Sequence, residues 1–405
     1  MRTFKKSSKL DGVAYEVRGR VVAQASAMEA AGEKILKLNI GNPAPFGFET
    51  PVPVLEAMKR RLSLSEGYSE SRGVLAAREA IAAYHRGKGI EGICPEQIYT
   101  GNGCSELINM SMQALLDDGD EVLIPSPDYP LWTASVTLAG GKAVHYICDE
   151  QSDWMPDLAD MRRKITPRTK AIVIINPNNP TGANYGLDIL NGIADLAREF
   201  DLMLFSDEIY DRLLMDGLEH ISIASLCPDV LCVTFNGLSK SHLMAGFRCG
   251  WIVLSGPVEY AKEYREGLDM LASMRLCANV PAQSIVPVAL EHLDATRPLF
   301  QPGGRIYQQR EAICETLNSI EGISVVRPRA AFYCFPRIDA KRFHITDDER
   351  FAIDFLKAEN VLLVQGTGFN WPSPDHFRIV FLPTEAELRD GMEKLNRFLS
   401  CYLQD

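Results

Sequence analysis

No stretch of the 405-residue chain approaches the roughly 18 consecutive apolar residues that a membrane helix requires, so no membrane partner is expected. The opening segment, Met1 to Leu10, is basic and polar, and the apolar stretch that would make it a signal peptide does not follow. The ten cysteines, among them Cys94, Cys148, Cys232 and Cys314, include no CxxC pair and no regular spacing. Such dispersed thiols predict reduced, buried cysteines in a cytoplasmic protein rather than a disulfide framework. The seven histidines include no HExxH or comparable ligand spacing, so no metal site is expected. Lysine- and arginine-rich runs are also missing, and the net charge is −11, which argues against nucleic acid as a partner. There is no internal repeat and no low-complexity segment.

What is present is an ordinary globular composition, 46% apolar and 23% charged, in a chain too long for one small core. Between Gln97 and Ser255 short β-rich runs alternate with amphipathic helical patterns: QIYTG, EVLIPSP, KAVHYIC, AIVIINP, LMLFSDE, VLCVTFNG and CGWIVLS. Several are nearly continuous apolar runs, as expected of strands covered on both faces. The alternation predicts an α/β fold whose mainly parallel, seven-stranded sheet is sandwiched by helices in a large domain, residues 46–290. From residue 291 to 405 the pattern changes. A helix over Arg305 to Ser319 precedes strand-like FYCFPRI, a helix near Asp348 to Glu359, VLLVQG, HFRIVFL and a last helix from Glu385. This predicts a smaller α+β domain, with residues 1–45 as an N-terminal segment packed on it.

Five segments carry chemistry. In TGNGCSEL (Thr100 to Leu107) a strand ends in a glycine turn and a helix begins, a start whose free N–H groups favour a phosphate. Glycine turns before helices are common, so this pattern alone decides little. In AIVIINPNNPTG the asparagines either satisfy their own loop or place the Asn179 amide at the C-terminal edge of the sheet, where ligands collect. The apolar strand of LMLFSDEIY ends in Asp207 and Glu208, followed by Tyr210. Such carboxylates often cap helices, but an Asp near a pyridine nitrogen would keep it protonated. In VLCVTFNGLSKSHLMAGFRCGW a strand leads into Lys240, with Arg248 eight residues later. A lone lysine is usually a solvated surface residue; one beside strand ends bearing Asn179 and Asp207 is suited to a Schiff base with an aldehyde. Finally, Arg378 stands inside the apolar strand HFRIVFLP, where its charge needs either a structural ion pair or a substrate carboxylate.

In this order NPNNPTG, SDEIY, GLSK and GFRCGW resemble the fold type I, pyridoxal-phosphate-dependent aminotransferases, and the similarity runs from KLNIGNP to FRIVFLP. YEVRG, LNIGNPAPFGF and LCANVPAQ are most similar to the alanine aminotransferases, especially the bacterial glutamate–pyruvate type. The resemblance implies pyridoxal 5′-phosphate as cofactor, with Lys240 as its Schiff-base lysine and Asp207 as partner of the pyridine nitrogen. Tyr210 and Asn179 would contact its O3′, and Tyr129 would stack on the ring. Gly103, Cys104, Ser105, Ser239 and Arg248 would cradle the phosphate. Tyr68 would reach the phosphate of a neighbouring subunit, making a homodimer with shared active sites. Arg378, Asn179 and the Gly41 backbone would bind the substrate, with Tyr15 and Arg18 beside them. The implied catalytic set is Lys240, Asp207 and Tyr210, and the implied reaction is ping-pong amino transfer between alanine and an oxo acid of the 2-oxoglutarate/glutamate pair.

Three departures stand out. Many relatives have Ser or Thr three residues before the lysine, where this chain has Gly237. PRAAFY has Ala330 and Ala331 in place of a frequent glycine–alanine pair. No second arginine can be assigned to a distal carboxylate. The alternatives that keep the cofactor are a transaminase for valine or other small apolar amino acids, and a β-lyase or synthase on the same fold. A cofactor-binding regulator would need an added DNA-binding module, for which no stretch of the chain is left over.

Overall fold

The computed structural model describes residues 3–10, 13 and 19–405. Eight strands form the large sheet: β1 (Ile98–Gly101), β2 (Glu121–Ser126), β3 (Lys142–Asp149), β4 (Met155–Pro156), β5 (Thr169–Ile175), β6 (Met203–Asp207), β7 (Cys232–Gly237) and β8 (Gly250–Ser255). Their spatial order is β1-β8-β7-β6-β5-β2-β3-β4. The β3-β2-β5-β6-β7 pairings are parallel, whereas β8 runs antiparallel to both β7 and β1. The seven expected strands are all there. The eighth, β4, is a two-residue edge strand antiparallel to the end of β3, too short to carry a sequence pattern.

The continuous apolar runs have a direct cause. Along β5, Ala171, Val173 and Ile175 belong to one core, and Ile172 and Ile174 to another on the opposite face. Both sets of side chains are therefore in apolar surroundings, as strands covered by helices on two sides require.

A third core joins the two ends of the chain. Val21, Ala25 and Leu38 pack with residues such as Ile313, Phe355 and Leu388, and the short strand Leu36–Lys37 pairs in parallel with Val361–Leu362. The helices Arg305–Ser319, Asp348–Glu359 and Glu385–Leu399 lie where the periodicity places them. Asp347 caps the second of these, and Thr384 forms a capping box with Glu387 on the third. FYCFPRI is not one strand. Tyr333–Cys334 (β9) pairs with Phe377–Val380 (β11), and Arg337–Ile338 pairs elsewhere, with Ile323–Ser324. Pro336 lies between the two pieces and has no N–H to continue a ladder. Val364–Gln365 (β10) completes the three-stranded sheet on the other side of β11.

Candidate active site

The parallel registry brings the ends of β5, β6 and β7 together, since Ile175 is opposite Asp207 and Asp207 is opposite Phe235. Gly101 and Gly237 both pair with Gly250, so the ends of β1 and β7 flank the start of β8. Above this edge lies a cavity of about 650 Å³. Lys240, Asp207, Tyr210, Asn179 and Arg378 all line it, as do Gly41, Cys104, Ser105, Tyr129, Ser239 and Arg248.

Asp207 is fully buried, and burial pushes its carboxyl up to about 6. The Trp132 indole N–H donates to it at 3.2 Å and the Ile209 backbone N–H at 3.3 Å. It caps no helix. Among the described residues no lysine, arginine or histidine is in ion-pair range of it, so a cationic ring N–H at this point would stabilise the carboxylate.

The asparagines divide their work. Asn176 Oδ1 accepts from Tyr185 N–H at 2.8 Å, and Asn178 Oδ1 accepts from the N–H and hydroxyl of Thr181. These two serve their own loop. Asn179 Oδ1 instead accepts from Arg378 Nη1 at 3.0 Å, which leaves its NH₂ group as the donor for a ligand oxygen. The second arm of the Arg378 guanidinium donates to the Asn39 carbonyl. The guanidinium also lies over two rings, 4.8 Å from the Tyr333 centroid and 4.5 Å from that of Phe369.

Lys240 sits on a short helix, Leu238–Ser241, and its Nζ donates to the Gly41 carbonyl at 2.7 Å. The Tyr210 and Tyr333 hydroxyls are 2.9 Å apart, and burial pushes the Tyr210 phenol well up. Tyr333, Trp132 and Asn39 escaped the sequence reading. A polar-tipped aromatic inside a buried strand was the available signal for Tyr333, since its hydroxyl must find a partner.

At the other end, the helix Cys104–Leu115 begins at Gly103 (φ 83°) with no side-chain cap, unlike the helices capped by Asp347 and Thr384. A Cβ on Gly103 would overlap the Arg248 guanidinium, so the cationic side chain closes over an uncapped helix start. Arg248 Nη2 donates to the Asn102 carbonyl at 3.1 Å. At Gly237 a Cβ would stand 2.6 Å from the Cys249 carbonyl oxygen, so the close approach of β7 and β8 leaves no room for Ser or Thr. The alanine at 330 carries no strain, because the left-handed residue of that turn is Ala331 (φ 59°). Tyr68 is 82% exposed and outside the cavity of its own chain. Tyr15 and Arg18 lie outside the described residues.

An uncapped helix start beside Arg248, a buried carboxylate with no cation in range among the described residues, and a lysine lining the same cavity fit the three functional ends of pyridoxal phosphate.

A family model described as aminotransferase class I and II matches residues 33–395. The chain is 56% identical over 404 residues to the glutamate-pyruvate aminotransferase AlaA of Escherichia coli K12, covering 100% of both. It is 52% identical to an alanine aminotransferase of Mycobacterium tuberculosis H37Rv, covering 100% of this chain and 94% of that one. A crystal structure of an aminotransferase from Escherichia coli superposes with a TM-score of 0.99 at 56% identity, covering 100% of both chains.

Proposed function

The chain belongs to the class I and II aminotransferases, and from that premise we propose that it moves an amino group between alanine and the glutamate/2-oxoglutarate pair, using pyridoxal phosphate held on Lys240. The observation that carries this reading is the meeting of Lys240, Asp207, Asn179 and Arg378 in one cavity. Asp207 would face the pyridine nitrogen. The start of the helix Cys104–Leu115, with Ser105, Ser239 and Arg248, would hold the phosphate. Tyr129 would stack on the ring, and Asn179 and Tyr210 would contact its O3′.

When bound, the cofactor supplies a protonated pyridine ring into which the electron pair left at the substrate Cα can spread. Asp207 keeps that ring nitrogen protonated by offering a buried negative charge. Arg378 binds the α-carboxylate of the amino acid and so orients Cα. Once the incoming amino group has displaced it, the Lys240 amine would take the Cα proton as general base and deliver it as general acid to the cofactor carbon that had carried the aldehyde, not back to Cα. Its Nζ lies 2.7 Å from the Gly41 carbonyl. Water would then release the oxo acid while the amino group stays with the holoenzyme, and a second oxo acid would collect it by the same steps in reverse.

Tyr68, exposed on its own chain, would complete the phosphate site of a second copy in a homodimer. Ten free cysteines support a cytoplasmic setting. The cores support a large unit of residues 46–290 and a small one of 291–405, with Val21, Ala25, Met28 and Leu38 on the latter, whereas Ser8–Leu10 lies against the helix Leu131–Leu138 of the large unit. No helix of the described residues is long and apolar enough to cross a membrane.

Incubation with L-alanine and 2-oxoglutarate, followed by assay of pyruvate and glutamate, tests the reaction. Equal amounts of both are expected. No turnover of alanine, with ammonia and pyruvate released instead from an amino acid that carries a leaving group on Cβ, would indicate elimination, and a kcat/KM for valine above that for alanine would move the donor assignment.

A further inference from the structure

Behind the cavity, on the far side of the segment that carries Asp207 and Tyr210, lies a buried ionic cluster that the reaction described above does not use. Lys88, which follows the helix Leu75–Gly87, places Nζ 2.5 Å from Glu208 Oε2 and 2.7 Å from Asp211 Oδ2. The two carboxylates are at most 1% exposed and the lysine side chain 14%. Glu208, Asp211 and His220 have ligand atoms within 4.8 Å of one another, a spacing that suits a cation. The cation between the carboxylates is the Lys88 ammonium. Buried charge of this kind is costly unless each member is paired and hydrogen-bonded. Ser206 and Ser222 donate to Glu208 at 3.0 and 2.6 Å, and the Tyr84 hydroxyl donates to Asp211. Burial alone would push the Asp211 carboxyl up, yet Lys88 holds it down at about 2. The histidines facing the cluster, His85 and His220, are both pushed down by burial.

The cluster is coupled to the site through the chain itself. Residues 207 to 211 face two ways: Asp207, Ile209 and Tyr210 line the cavity, while Glu208 and Asp211 hold Lys88. Asn236 Nδ2 donates to Asp211 at 2.8 Å, and its Oδ1 accepts from the Gly237 N–H at 2.7 Å, at the start of the turn that carries Lys240. His220 Nε2 donates to the Asn176 carbonyl at 3.1 Å, at the base of the loop bearing Asn179. The ammonium thus touches the segment after β6 directly, reaches the end of β7 through Asp211 and Asn236, and reaches the end of β5 through Glu208 and His220, whose Nδ1 is 4.0 Å from Glu208.

We propose that Lys88 is a positioning residue for amino transfer: through Glu208, Asp211 and Asn236 its ammonium fixes segment 207–211 and the Gly237–Lys240 turn in the alignment the reaction needs. The proposal rests on the reading of Lys240 and Asp207 as cofactor-holding residues. Lys88→Met keeps the length of the side chain and removes its charge and donors. Asn236→Ala leaves the ion pair whole and cuts only the link from Asp211 to the lysine turn.

In the holoenzymes, both variants should lower kcat for alanine by about tenfold or more while KM changes less than about threefold. Lys88→Met should also raise the pH at which the visible band of the lysine-bound cofactor titrates, because an uncompensated negative charge then lies near a cationic group. It should release the cofactor more readily as well. If Lys88→Met does not fold, Asn236→Ala carries the test, with a fallen kcat at a near-unchanged melting temperature as the supporting result. Folded variants with wild-type kcat and an unmoved titration, whatever their loss of stability, would overturn the proposal. Failure of the underlying reading looks different, since Lys240→Ala would then keep the visible band.

Discussion

Arg378 and Asn179, 199 positions apart in the chain, are joined by a 3.0 Å hydrogen bond from guanidinium to amide oxygen at the floor of the cavity. The bond sets both partners at once. It orients the amide so that its NH₂ group is the donor left for a ligand oxygen, and it fixes a guanidinium already held over the rings of Tyr333 and Phe369. Binding an α-carboxylate therefore requires little ordering of the arginine.

Arg378→Lys should consequently raise KM for both alanine and 2-oxoglutarate, by roughly tenfold or more, because a point charge replaces a planar fork. Asn179→Asp should act similarly by a different route, placing a competing carboxylate against the guanidinium. Initial-rate kinetics with each substrate varied in turn check both. A change confined to kcat would remove Arg378 from the carboxylate site.

The burial of Asp207 makes a prediction with a definite sign. Its carboxyl is raised from 3.8 to about 6 in the folded chain. Below about pH 4 it is protonated whether the chain is folded or not, and it then costs nothing. Above about pH 6 it must ionise in the interior, and the folded apoprotein loses stability as pH rises between these values. Two units correspond to about 3 kcal/mol. Apo Asp207→Asn should therefore melt above apo wild type at neutral pH, and the gap should close near pH 4. Adding cofactor should reverse the order at neutral pH, since only the carboxylate can pair with a ring N–H. Turnover by the Asn variant should fall by roughly a hundredfold or more. Melting curves across pH, with and without cofactor, read the first two effects.

Gly237→Ser would restore a hydroxyl where many relatives have one, but not its benefit. The new Cβ meets the Cys249 carbonyl oxygen at 2.6 Å and the Gly250 Cα at 2.9 Å, both in the backbone that leads into β8. Backbone cannot step aside as a side chain can, so a cost of about 1–3 kcal/mol is expected. The variant should melt lower and hold the cofactor no better. Tighter cofactor binding at unchanged stability would show that β8 yields, and that the missing hydroxyl is a true loss.

How legible these features were depends on their range along the chain. The seven main strands were readable because helices cover both faces, which forces continuous apolar runs. The strand-end position of Asp207 and Lys240 followed from the same runs. FYCFPRI misled because its composition suits a strand, while Pro336 divides it between two sheets. Glu208 was the harder case: from sequence it was one of two adjacent carboxylates, and its partner Lys88 is 120 residues away. Tyr333 meets Tyr210 over 123 positions, and nothing local marks that pairing. Contacts of this kind are set by tertiary packing.

Tyr68 is 82% exposed and no part of its own chain's cavity, whereas Lys240 lines that cavity. If Tyr68 serves the phosphate of a partner, the two residues of any one site come from different chains. Homodimers of Tyr68→Ala should bind the cofactor weakly, and homodimers of Lys240→Ala should be inactive. A hybrid of the two has one site with both substitutions and one with neither. Unfolding and refolding an equal mixture should therefore restore activity, up to about a quarter of the wild-type value if subunits pair at random and each dimer site acts independently. Separately refolded homodimers mixed afterwards provide the control. Weak activity in the hybrid, equal to the mean of its parents, would place Tyr68 and Lys240 of one chain at the same site, and a Tyr68→Ala homodimer with wild-type cofactor binding would remove Tyr68 from it altogether.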